Sequence, residues 1–257
     1  MTDATHVTDV PDVTDVAAGV VAALAALADP DRAVGVARFF QNASGQYGER
    51  DVFIGLRVPM IRKVVQRFAA LPLPEIDLLL SSVVHEHRLT ALLILVKQFE
   101  RASSTKTRDD AASTRLADFY IAAVRRGRVN SWDLVDASAP TLMGGYLFDR
   151  PHELFLELAS SDALWQRRAG MVGTYGLILH GDATTTLELA ASLLNDREAL
   201  MNKAVGWILR EVGKRVDRAL RLEFLDENAV RMPRTALSYA TEHLDPAART
   251  RYRAMTK

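Results

Sequence analysis

Apolar residues recur at intervals of three and four along almost the whole of this chain, a spacing that fits one regular structure. Leu92, Leu93, Leu95, Val96 and Phe99 follow it, with Lys97, Gln98 and Glu100 elsewhere on the helical wheel. Leu187, Leu189, Ala190, Leu193 and Leu194 repeat the pattern. Pro59, Pro74, Pro151 and Pro233 each stand just before an apolar-periodic run, where a first-turn proline is tolerated. No stretch alternates with β-branched residues for long enough to make a strand. The expected fold class is therefore all-α. Arg168-Ala169 and Lys203-Ala204 precede apolar helices with their alanines 35 residues apart, and Arg234-x-Ala236 follows 32 residues later. A period of roughly 30–45 residues per helix pair predicts an α-solenoid of HEAT-like repeats, whose concave face, here expected to be basic, is the usual binding surface. An irregular helical bundle is the alternative.

Charge and composition bound the function. With 257 residues, half of them apolar, the chain can bury a core without metals or crosslinks. It has no cysteine, which excludes disulfides, thiolate metal sites and a cysteine nucleophile. The formal net charge of zero hides an asymmetry: residues 1–30 hold five aspartates and no lysine or arginine, leaving the rest at +5. Polyanion binding is thereby permitted. The expected organisation is a disordered acidic tail over residues 1–15 and a single HEAT-like domain over 16–257. The charge-free run Val16–Ala28 spans 13 residues, against the roughly 20 that a bilayer needs. No membrane association, a cytoplasmic location and a monomer are expected.

Several chemistries lack their residues. There is no Gly-x-Ser-x-Gly elbow, and Gly206–Lys214 has the wrong glycine spacing for a phosphate loop. Gly170, Gly173 and Gly176 make no dinucleotide fingerprint and are expected to allow close helix packing. His85-Glu86-His87 suggests a metal site, but helical residues two apart diverge by about 200°. A helix entry with surface histidines is expected there, with no metal and no cofactor.

Three elements carry chemistry. In Asn130–Asp136, Ser131 predicts an N-cap and a helix from Trp132, which puts Trp132 and Asp136 on one face. An indole beside a carboxylate suits a site that stabilises a cation; the alternative is a core tryptophan and an aspartate paired to a structural arginine. Lys203, Trp207, Arg210 and Lys214 step by four, three and four along one helical stripe, which suits phosphates and sugars or, more plainly, a solvated basic face. Trp165-Gln166-Arg167-Arg168 opens a further helix, where one arginine faces a groove and periodicity does not say which.

Phe53-Ile54-Gly55-Leu56-Arg57-Val58-Pro59 with Arg62-Lys63, His85-Glu86-x-Arg88, Asn130–Asp136, Trp165–Arg168 and Lys203–Glu211 occur in the order found in AlkD-type DNA alkylation repair proteins, which the chain resembles from about Ala37 to Tyr239. The resemblance implies a DNA glycosylase of HEAT-like repeats that excises cationic N3- and N7-alkylpurines from double-stranded DNA without base flipping. It places the catalytic residues at Trp132, Asp136 and Trp207, a phosphate contact at Arg168 and a further basic position at Arg210, with Lys203 and Lys214 on the same DNA-binding stripe. The family's tyrosine on the first repeat falls at Phe39, which keeps apolar contact and loses a hydroxyl. A non-catalytic protein binding branched or damaged DNA on the same scaffold is the second reading, and a protein–protein scaffold the third.

Overall fold

A computed structural model of the chain describes residues 16–255. The tail expected over residues 1–15 lies outside the described residues. Among these, extended pairing is confined to one parallel bridge between Val52 and Val84, and the regular structure is otherwise helical. No helix among them is long and apolar enough to cross a membrane. Two compact units form, one ending at Gln98 and the other beginning at Phe99.

The first unit contains α1 (Ala17–Ala25), α2 (Pro30–Phe39), α3 (Val58–Arg67), α4 (Leu73–Leu80) and the start of α5 (His85–Ser103). Val20 and Leu24 of α1 are fully buried, and α1 packs on α3 and α4. Pro59 and Pro74 occupy the first turns of α3 and α4, where a missing N–H costs no hydrogen bond.

The loop that enters α3 is held by a buried carboxylate. The buried Glu86 carboxylate accepts the N–H groups of Ile54 at 3.1 Å, Gly55 at 2.8 Å and Leu56 at 3.3 Å. Three donors repay the burial of a charge that would otherwise be prohibitive. Gly55 has a φ of +79°, and a Cβ there would stand 2.2 Å from the Asp29 carbonyl oxygen, so the turn requires glycine.

His85 and His87, expected at the surface, are buried. His85 Nδ1 lies 3.0 Å from Asp51, its ring stacks on Phe53, and His87 Nδ1 meets Ser82 at 3.0 Å. The tripeptide is polar core because each side chain finds a partner in the loops around it. Burial pushes the Asp51 carboxyl up, but hydrogen bonds from His85 and Arg88 prevail and hold it below the usual carboxylate range.

The second unit follows with α6 (Asp110–Arg125), α7 (Trp132–Ala139), α8 (Gly145–Leu147), α9 (Glu153–Ala159), α10 (Leu164–Gly173), α11 (Tyr175–Leu179) and α12 (Thr184–Ser192). It closes with α13 (Ala199–Arg215), α14 (Arg218–Asn228), α15 (Arg234–Ala240) and α16 (Pro246–Met255). One number organises its contacts. The hydrogen bonds Arg125 to Glu157, Tyr146 to Thr114, Arg168 to Asp136, Arg168 to the Leu200 carbonyl and Arg210 to Glu242 each join residues 32 apart. A helix thus meets its counterpart one repeat on, the arrangement of an α-solenoid.

Between α7 and α8 the helix widens into a π turn over Pro140–Gly144. Pro140 has no N–H to give the residue-136 carbonyl, and its ring would crowd that oxygen in a regular helix. Close packing follows: a Cβ on Gly176 would fall 2.4 Å from the Pro140 carbonyl oxygen and 2.5 Å from the Gly144 Cα. A Cβ on Gly170 would stand 2.9 Å from the Phe155 carbonyl oxygen. These glycines let backbones touch.

Gly176→Ala is expected to destabilise the protein by about 1–3 kcal/mol or more through overpacking. Gly35→Ala, in α2 with nothing near its Cβ position, is expected to be neutral or to stabilise by up to about 1 kcal/mol. Urea midpoints at constant slope would separate the two.

Candidate functional site

The helix of Asp136 begins at Trp132, as the Asn130–Asp136 spacing predicts. Ser131 holds the N-cap position in extended backbone, although its hydroxyl makes no capping bond. Trp132 and Asp136 then stand one turn apart on α7, and both are half-buried.

The centre of the site is an ion pair. Arg168 Nε donates to Asp136 Oδ1 at 3.0 Å, and a terminal nitrogen donates to Oδ2 at 2.9 Å. The other terminal nitrogen donates to the Leu200 carbonyl at 2.6 Å. The planar guanidinium matches both carboxylate oxygens at once, which fixes the plane of the carboxylate as well as its place. The Arg168 side chain is 5% exposed and that of Asp136 is 22%. The arginine is sealed, and the aspartate side chain stays partly open to solvent.

Three helices meet here. α10 packs against both α7 and α13, so Arg168 ties Asp136 of α7 to the first turn of α13. Trp207 lies seven residues beyond Leu200 on α13, about two turns along the same side. Its half-buried indole meets the Tyr175 ring at 5.7 Å between centroids, and the Arg215 guanidinium lies over that tyrosine at 5.4 Å. Sequence reasoning passed over Tyr175, although it precedes Trp207 by the 32 residues that relate Asp136 to Arg168.

Burial pushes the Asp136 carboxyl above the usual carboxylate range. The Arg168 guanidinium opposes the rise by charge and hydrogen bonding, and Asp133 nearby adds to it.

The remaining expected residues are placed less uniformly. Arg168, nominated for phosphate, spends its donors on Asp136 and Leu200, while Arg167 bonds Asp196 at 2.7 Å. Arg210 is committed to Glu211 at 3.2 Å and to Glu242, and Glu211 also accepts from Arg215 at 3.0 Å. Lys203 and Lys214, at the ends of the stripe, are exposed. Phe39 belongs to the first unit, where it ends α2, 67% exposed and edge-on to Phe40.

A family model described as "DNA alkylation repair enzyme" matches residues 20–244. Among solved structures, a "Predicted DNA alkylation repair enzyme from Enterococcus faecalis" is similar in fold. Its TM-score is 0.64 at 16% identity, covering 85% of this chain and 97% of that one. No curated protein matches the chain.

Arg168→Gln is expected to raise the Asp136 carboxyl pKa further, because the removed group opposes the effect of burial. It should also cost up to about 3 kcal/mol by unpairing a partly buried charge and a carbonyl. Carbon-13 titration of the carboxyl and a urea melt would check both.

Proposed function

This chain belongs to the family of DNA alkylation repair enzymes, and from that premise we propose that it is a glycosylase excising positively charged N3- and N7-alkylpurines from duplex DNA. The observation that carries the proposal is the Asp136 carboxylate, aimed by the Arg168 fork, on a side chain partly open to solvent, and set on the helix of one half-buried indole and joined to the helix of another.

An N-alkylated purine already carries the charge that makes it a leaving group. When its N-glycosidic bond breaks, the electron pair leaves with the base, which departs neutral, and no acid must protonate it. Positive charge grows on the deoxyribose instead. A bare carboxylate about 4 Å away would be worth on the order of 4 kcal/mol at an effective dielectric near 20, roughly a thousandfold in rate. The Arg168 partner reduces that figure while it stays paired. In this reading the sealed Arg168 guanidinium, its three nitrogens on Asp136 and the Leu200 carbonyl, aims the carboxylate rather than meeting a phosphate.

Asp136 also orients the water that adds to the sugar carbon and accepts the proton that water gives up, and Trp132 and Trp207 contribute cation–π attraction of about 0.5–2 kcal/mol each once desolvated. The exposed Lys203 and Lys214 supply charge toward the backbone without reading sequence. No step requires the nucleotide to leave the duplex, and undamaged purines survive because they leave poorly.

The same ion pair supports the second reading, a non-catalytic protein of this scaffold that binds branched or damaged DNA, with Asp136 serving only to hold Arg168. Release of free 7-methylguanine from methylated duplex separates the two. Asp136→Asn is expected to retain duplex binding and to lose most excision, by about a hundredfold or more. Equal single-turnover rates in both proteins would sink the catalytic assignment. Since the ionised form is required and its pKa is raised, kcat/KM should fall with decreasing pH already above the ordinary carboxylate range.

A further inference from the structure

Buried charges among the described residues find partners almost throughout. Asp51, Glu86, Arg88, Arg168 and Glu211 each meet an opposite charge or backbone donors. Arg221 of α14 departs from that pattern. It is 5% exposed, its enclosed Nε has no acceptor, and no described carboxylate pairs with it.

The carboxylates around it in sequence are taken elsewhere. Glu211 holds Arg210 and Arg215, and Asp217 accepts the Ala219 N–H at 2.7 Å. Asp226 accepts from Tyr252 at 2.8 Å and from Arg251 at 2.6 Å, while Glu223 lines a cavity with Leu187 and Ala191 of the α12 segment. Gly213 of α13 makes room for the arginine, since a Cβ there would stand 2.5 Å from the Arg221 Nε and 2.7 Å from its Cδ. The side chain thus crosses the last turn of α13, and helical side chains lean toward the N-terminus of their own helix. There the exposed Arg218 stands one turn earlier on α14. Burial, and then the charge of Arg218, push the Arg221 guanidinium below the usual arginine range. Both cations also occupy the positive end of an eleven-residue helix dipole. Arginine keeps its proton in proteins, so this positive potential calls for an anion.

We infer that Arg221 and Arg218, at the start of α14, form a binding site for a phosphate-type oxyanion. The buried guanidinium offers donors in a fixed planar fork, and the exposed Arg218 is able to turn onto the remaining oxygens. Inorganic phosphate and a backbone phosphate of a duplex share that chemistry. The site stands whether or not the protein excises bases, because none of its residues belongs to the Asp136 cluster.

Melting of the full chain in a sodium phosphate series, against sodium chloride at equal ionic strength, tests it. A saturable rise in Tm of about 3 °C or more is expected, unlike the steady increase that an excluded salt produces. Arg221→Met and Arg218→Ala should each abolish the rise. Arg221→Met should also be at least as stable as the parent in chloride, because it removes a buried unpaired charge. Arg218 is exposed, so its variant keeps the test readable should the other fail to fold. Fluorescence anisotropy of a labelled undamaged duplex across a potassium chloride series separates the two sources. A backbone phosphate predicts several-fold weaker binding by Arg218→Ala, with the slope of log K against log salt shallower by about one. Loss of the phosphate effect at unchanged duplex affinity assigns the site to the free anion. A rise that survives both substitutions would overturn the site, as would no saturable rise together with unchanged duplex affinity in Arg218→Ala.

Discussion

The bidentate pair between Asp136 and Arg168 is the joint through which α7, α10 and α13 share one site. Its asymmetry matters more than its strength. The guanidinium is sealed and spends its third nitrogen on the Leu200 carbonyl, while the Asp136 side chain keeps about a fifth of its surface in solvent. A buried arginine without a partner would be costly, so the pair constrains both helices that supply its acceptors. Trp132 inherits its position from α7 and Trp207 from α13. The geometry is thus held by a polar network laid over an apolar interface, and truncating either partner would leave the other charged and stranded.

The first unit solves a comparable problem with another outcome. Glu86 is buried as deeply as Arg168, yet its carboxylate is consumed by the N–H groups of Ile54, Gly55 and Leu56. Asp51 is likewise taken up by His85 and Arg88. These groups are buried and partnered within the first unit, so one of the most conspicuous polar stretches in the sequence serves as polar core. The contrast follows from donor supply and burial: the Glu86 carboxylate is surrounded by backbone N–H groups, whereas Asp136 is held by a single fork on a side chain partly open to solvent.

Repetition connects the two levels of organisation in the second unit. A constant step of 32 residues relates Asp136 to Arg168, Tyr175 to Trp207 and Arg210 to Glu242, because each helix repeats its register against the next. Glycines make that register attainable where backbones touch, at Gly144 against Gly176 and at Gly206 against Ala236. Once the step is known, Tyr175 is legible from Trp207. Before it is known, an isolated tyrosine after Gly173 carries no signal.

Periodicity alone determined the helical class, and local spacing determined that Trp132 and Asp136 share a turn and that a helix opens at Trp132, since those properties depend on residues within a few positions of one another. The order of motifs carried the family likeness. Which arginine faces the carboxylate, whether His85 and His87 meet water, and how much of the basic stripe is cancelled by Glu211 and Glu242 were decided only by the tertiary structure. Asp136 for Arg168, Asp51 for His85 and Glu242 for Arg210 are partners more than 30 residues away, and the energy of a charge depends on which partner and how much water surround it. A pattern read along one helix contains neither.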